Sequence, residues 1–296
     1  MEGNEYFCPM KHKLCIVAFT LLAFTSGSSA QVATLDFTGG NGTSSVDQWQ
    51  GTGGSGWTAG WVQGTDSSSM DINRTVVNTD PFFGGGGNYL SGSNTVLATY
   101  GGQVRNGIYR AYNGATLTDS LTYSWNFRID SATGFSNAFN DQLTFMETSD
   151  QQVFNPGSAA TTTWFLQLRG AAGNLTVRAR NGTGQVDTAS AIAIGTDYGF
   201  QVVSNPTTKT YSYSITNLAT SGVVASGTNL GWWNGSASAH GGVFNTIVGL
   251  EGNNIGDGVA FSLDSVAISA IPEPSTYALL GLGLGALVWL RRRAGS

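Results

Sequence analysis

The sequence holds 296 residues, 10% of them charged and 42 of them glycine, and its only cysteines are Cys8 and Cys15. Between residues 31 and 270 there are 8 Lys and Arg against 15 Asp and Glu, a net charge of −7, which argues against a nucleic-acid partner. The same stretch has no cysteine, which excludes disulfides, thiolate zinc sites and iron–sulfur clusters there, while low charge and 11% aromatic residues favour a packed core over disorder.

The N-terminal segment reads Lys11-His12-Lys13, then an apolar run of 11 residues from Leu14 to Phe24, then small residues ending in Ser28-Ser29-Ala30. This layout predicts a secretory signal peptide over residues 1–30. Glu2 and Glu5 do not suit its positive leading end, so Met10 is the expected start.

From residue 31 to 270 the sequence alternates with period two. Leu121, Tyr123, Trp125, Phe127 and Ile129 share one face, as do Trp164, Leu166 and Leu168, then Tyr211, Tyr213 and Ile215, then Phe261 and Leu263. Phe165, Gln167 and Arg169 fall on the opposite face, expected to be solvated. Turn residues separate the runs, among them Asn181-Gly182, Ser204-Asn205-Pro206 and Gly256-Asp257-Gly258, and Gly84–Gly87 reads as an exposed loop. One domain over 31–270 is expected, an all-β antiparallel sandwich of about a dozen strands with no helix. The hairpin Tyr198–Ile215 and the closing strand Phe261–Ile268 resemble concanavalin A-like jelly rolls of the laminin-G and lectin or glucanase type.

Few residues offer chemistry. Laminarinase-type relatives of that fold carry Glu-x-Asp-x-x-Glu on one strand, and the motif is absent here. Glu147 and Glu251 are the only glutamates of residues 31–270; they are expected to be solvated carboxylates, although a glycosidase could use such a pair. His240, the only histidine there, has no nucleophile-elbow motif beside it and is expected to be a loop residue without a catalytic role.

Asn137, Asn140 and Asp141 form one oxygen-rich loop cluster, and Asn253, Asn254 and Asp257 beside Glu251 form another. Both suit ordinary turns and, alternatively, a calcium ion, with Asn137, Asp141, Asn253 and Asp257 as ligands. Trp125 and Trp164 are expected in the core. Trp57, Trp61, Trp232 and Trp233 lie in glycine-rich surroundings and are candidates for stacking on sugars, or else for local packing. Adjacent Trp232 and Trp233 cannot both enter one core face from an extended chain. Asn41, Asn73, Asn174, Asn181 and Asn234 begin Asn-x-Ser/Thr triplets, as chance allows in so Asn- and Thr-rich a chain.

The tail, residues 271–296, reads Ile271-Pro272-Glu273-Pro274-Ser275-Thr276, then the uncharged run Tyr277–Leu290, then Arg291-Arg292-Arg293. As a helix, Tyr277–Leu290 reaches about 21 Å against a hydrocarbon core of about 30 Å, a short transmembrane helix suited to temporary anchoring. The arginines are expected to stay cytoplasmic, leaving residues 31–270 outside. Pro-Glu-Pro, an apolar helix and terminal arginines in this order resemble the PEP-CTERM sorting signal. That resemblance implies recognition and removal by a membrane-embedded exosortase, in Gram-negative bacteria that make exopolysaccharide.

The resulting expectation is an exported surface or extracellular-matrix protein, structural or adhesive in an exopolysaccharide or biofilm setting. It would be held briefly in the inner membrane through its C-terminal helix. The alternatives are a carbohydrate-binding lectin-like module and an unrecognised glycoside hydrolase.

Overall fold

The computed structural model describes residues 30–35, 37, 51, 53–65, 70–77, 88–97, 104–113, 118–135, 142–150, 158–170, 175–188, 192–250 and 254–271, with 283–285, 287, 288, 290 and 291 of the tail. Gly84–Gly87 and the signal-peptide residues before Ala30 lie outside them. The described strands are β1 (Ala30–Thr34), β2 (Val62–Thr65), β3 (Met70–Val77), β4 (Tyr89–Val96), β5 (Val104–Ala111), β6 (Ser120–Thr133), β7 (Gln142–Thr148), β8 (Thr162–Arg169), β9 (Thr176–Asn181), β10 (Gly184–Asp187), β11 (Tyr198–Asn205), β12 (Thr210–Asn217), β13 (Val223–Gly231), β14 (Val243–Leu250) and β15 (Gly258–Ile271).

They form two antiparallel sheets. One runs β13-β12-β11-β6-β15-β4-β3, with β1 also on β15; the other runs β10-β9-β8-β7-β14-β5-β2. The first half of β15 pairs with β4 and its last residues pair with β1, so these two strands follow one another along the same edge of β15. A bulge at Ser265, whose φ is positive at 56°, divides the two halves.

Period-two alternation places the core. In β6, Leu121, Tyr123, Trp125, Phe127 and Ile129 are each at most 1% exposed. Trp125 stacks on Phe200 of β11 at 5.1 Å between ring centroids, and reaches across the gap to Phe145 of β7 at 5.0 Å. Trp125 also meets Trp164 and Phe244, so offset and edge contacts among several rings fill the interior. The hairpin β11–β12 closes where Asn205 Oδ1 accepts hydrogen bonds from the N–H groups of Thr207 (2.8 Å) and Thr208 (3.1 Å). Both tryptophans assigned to the core from sequence, Trp125 and Trp164, are in it.

The seven-stranded sheet departs from the expected pattern. Its central strands β7, β8 and β14 are buried on both faces. Phe165 and Gln167, read from sequence as solvated, are 4% and 3% exposed, and Phe165 joins Met146 and Ile247 in a second, outer apolar cluster. No helix occurs among the described residues between 30 and 271. The described tail residues are helical, with Leu284, Leu287, Val288 and Leu290 exposed. Among the described residues, no helix is long and apolar enough to cross a membrane.

Candidate functional site

A bulge in β8 builds the first cluster of titratable groups. Between the rungs Met146–Phe165 and Thr148–Thr162, two residues of β8 face the single residue Glu147. This turns the Thr163 hydroxyl inward, where it donates to Glu147 Oε2 at 2.5 Å. The Tyr112 hydroxyl donates to Oε1, and Tyr123 lies 2.7 Å from the Tyr112 oxygen. His240 Nδ1 is 3.3 Å from Oε2 and Nε2 is 3.0 Å from the Asp119 carbonyl, so both ring nitrogens face acceptors.

That arrangement favours an imidazolium. Burial alone would lower the His240 pKa, but the hydrogen bond and charge of Glu147, with the Asp119 carbonyl, hold it above the usual value. Burial alone would raise the Glu147 carboxyl, and His240, Thr163 and Tyr112 together hold it below the usual value. Burial and the nearby carboxylate push both tyrosines far up, so they stay neutral donors. The side chains of Glu147 and His240 are fully shielded from solvent. One expectation is thereby corrected: Glu147 is not a solvated carboxylate. His240 does lie in a loop, between β13 and β14, but is buried there against Glu147. They are 93 positions apart, and neither carries a local motif that announces the pair. Glu251 lies outside the described residues.

The second cluster stands on the outer face of the seven-stranded sheet. In β9, Val177 and Ala179 point into the core, so Arg178 and Arg180 point out. Arg178 is matched by Asp187 on β10 through two hydrogen bonds, 2.5 Å from Nε and 2.7 Å from Nη2. Arg180 instead lies over Trp233, its guanidinium carbon 3.8 Å from the ring centroid and 5.6 Å from that of Phe165. Trp233 and Phe165 meet edge to face at 5.9 Å. Nε of Arg180 is buried without an acceptor. Burial first, then the charge of Arg178, lowers the Arg180 pKa.

Trp233 is held in place by backbone. After β13, the Trp233 and Asn234 N–H groups donate to the carbonyls of Thr163 and Thr162, at 3.0 and 2.8 Å. The Trp232 indole N–H donates to Ser204 Oγ at 3.0 Å. The two neighbouring rings thus face opposite ways: Trp232 is 2% exposed in the core, and Trp233 is half-buried on the outer face. Trp61 is also 2% exposed, and half-buried Trp57 packs against it and against Tyr112, with Arg110 over its ring. Trp61 and Trp232 therefore do not offer faces to a sugar; of the two alternatives left open by the sequence, they take local packing. Trp61 is buried beside Trp57, which no alternation in the glycine-rich stretch 51–60 could signal.

Of the four calcium candidates only Asp257 is described; Asn137, Asp141 and Asn253 are not. Asp257 Oδ2 accepts from the Asn254 N–H at 3.1 Å and side-chain amide at 3.3 Å, the closure of a turn. Among the described residues no group of three or more His, Cys, Asp and Glu is placed to hold a metal ion. Asn234 uses its side chain on Ala160 and Ser236 and is 9% exposed, a poor sugar acceptor. In the tail, exposed Arg291 is described, whereas Pro272, Glu273, Pro274, Arg292 and Arg293 are not.

These sheets and the tail that prolongs β15 define the molecule as an all-β sandwich with a C-terminal targeting extension. Residues 270–293 match the PEP-CTERM protein-sorting motif, and the chain carries this sorting motif as its C-terminal element. No curated protein matches the chain. Among solved structures it is similar to a carbohydrate esterase from the Shiga toxin-encoding bacteriophage phi24B, with 15% identity over 72% of this chain and 90% of that one and a TM-score of 0.44. It is also similar to peanut lectin, with 13% identity over 72% of this chain and 99% of that one and a TM-score of 0.40. The seed lectin of Lotus tetragonolobus gives 7% identity over 72% and 100%, with a TM-score of 0.41.

Proposed function

We propose that the chain is an exported surface protein with a structural or adhesive role, delivered through exosortase to the cell surface or extracellular matrix. The observation that carries this reading is where the sorting motif begins. Its match starts at residue 270, inside β15, so the tail directly extends a central strand of the sandwich. Burial of Glu147 and His240 supports a role without catalysis, since a hydrolase would need such groups open to substrate. The test replaces Arg291, Arg292 and Arg293 with Ala in the native host. Full-length chain should then accumulate in the inner membrane, while wild-type chain reaches the surface. Equal surface delivery of both would overturn the reading.

A second reading, a polysaccharide-binding module, is favoured by one observation. Trp233 is half-buried on an outer sheet face beside a cation, whereas Trp57, half-buried beside Arg110, packs against the main core. Retention of the full chain on immobilised polysaccharide, lost in Trp233→Ala, is the expected result. Unchanged retention would exclude that face.

A further inference from the structure

The cation at Trp233 has a use beyond packing. A guanidinium stacked on a ring points its N–H groups outward in its own plane, free to bond beyond the ring edge. In Arg180 the ring contacts are satisfied by Trp233 and Phe165, yet the buried Nε has no acceptor. The neighbouring acid cannot serve, because both Asp187 oxygens are engaged by Arg178. Backbone fixes the position: the Tyr211 hydroxyl donates to the Arg180 carbonyl, and Asn181 Oδ1 accepts from the Gly231 N–H at 2.8 Å. The buried Nε is closed to any ligand, so the site offers the fork of the two terminal Arg180 nitrogens, on a chain that is otherwise acidic.

A fork of this shape fits a carboxylate through two parallel hydrogen bonds. Beside it, the β9–β10 register places Gln185 opposite Arg180, and Gln185 is exposed. Its amide offers a donor and an acceptor, the pair that a ring hydroxyl needs. Half-buried Trp233 supplies apolar surface beside them for the C–H groups of a pyranose. Carboxylate, hydroxyls and an apolar face occur together in a sugar acid, whereas an acidic peptide brings only the first.

We propose that Arg180, Gln185 and Trp233 form a binding site for a carboxylate-bearing sugar, so that the ligand class is an acidic, uronate-containing polysaccharide. The proposal rests on the polysaccharide-binding reading above and names its ligand. A bound carboxylate would also offset the burial and the Arg178 repulsion that now lower the Arg180 pKa.

The test measures binding of the full chain to polygalacturonate, to neutral dextran and to poly-L-glutamate. Wild-type chain should bind polygalacturonate, and Arg180→Gln should weaken it at least tenfold. Arg180→Lys should restore only part, because an ammonium keeps the charge and loses the fork. Gln185→Ala, at an exposed position, should weaken binding several-fold with an unchanged melting temperature, which separates recognition from folding. Equal affinity of wild type and Arg180→Gln for polygalacturonate overturns the proposal. Poly-L-glutamate bound as tightly as polygalacturonate also overturns it, in favour of an acidic peptide. Dextran binding that is indifferent to Arg180 leaves the parent reading standing and sinks this one. Binding to neither polysaccharide sinks both.

Discussion

Glu147 and His240 make the interior of the sandwich respond to pH. The His240 pKa is raised above its ordinary 6.5, so its share of stability is complete below that value and is lost as pH rises through the folded pKa. The Glu147 pKa is lowered from its ordinary 4.5, so its share is complete above that value and is lost as pH falls through the folded pKa. Stability from the pair should therefore peak between about 4.5 and 6.5 and decline on either side. Replacing His240 with Gln leaves a buried carboxylate without its cation, a loss of about 3 kcal/mol. It should also flatten the alkaline decline of the melting temperature, and an alkaline limb as steep as in wild type would refute the ion pair. Little of this was legible beforehand. The residue types were visible, but the pair joins residues 93 positions apart, which no local pattern encodes. The opposite facing of Trp232 and Trp233 followed from an extended backbone. Which ring would be buried was not legible, because Trp232 finds its partner, Ser204, 28 positions away.

Strands were far more legible than sites, because alternation is written locally. Leu121–Ile129 and the hairpin Tyr198–Ile215 lie in β6 and in β11–β12 with the expected faces inward. The reading failed where a strand is buried twice: Phe165 and Gln167 of β8 alternate with core residues and are covered all the same. Glycines inside strands carry a second message, readable only from the register. Gly92 of β4 faces Phe261 of β15, and Gly227 of β13 faces Tyr213 of β12. In both pairs an aromatic ring lies over the glycine. A Cβ on Gly92 would sit 2.6 Å from Phe261 Cζ, and one on Gly227 would sit 2.6 Å from Tyr213 Cε1. Phe261 is 1% exposed and also carries Arg74 over its ring at 5.0 Å, so it has no room to yield. Gly92→Ala is expected to cost about 1–3 kcal/mol, seen as a lower urea midpoint at unchanged slope. Gly235→Ala, with nothing within 4 Å of the added carbon, should stay within about 0.5 kcal/mol. Equal midpoints for the two variants would mean that Phe261 can move aside.

At the scale of the whole molecule, both ends of the sandwich leave from one place. Ala270 pairs with Ala30 of β1 and with Leu121 of β6, and Ile271 pairs with Ser120. The Thr210–Gly231 rung lies at that same end of the sheet, and Trp233 follows it directly. From Ile271 to Tyr277 the chain can span at most about 20 Å. An unprocessed chain anchored through its tail would therefore hold this end, with Trp233 and Arg180, toward the membrane. The sorting motif and β15 share residues 270 and 271, which limits where the chain can be cut. A cut before Ala270 removes the rungs to Ala30 and Leu121 and uncovers Leu121, which is wholly buried. A cut at or beyond Pro272 leaves every described rung of β15 intact. The protein recovered from outside its host cells is therefore expected to end at or beyond Ile271 and to melt at the temperature of the full chain. Intact-mass measurement and calorimetry on that species decide the matter: a terminus upstream of Ala270, or a lowered melting temperature, would show that release cuts into the sheet instead of beside it.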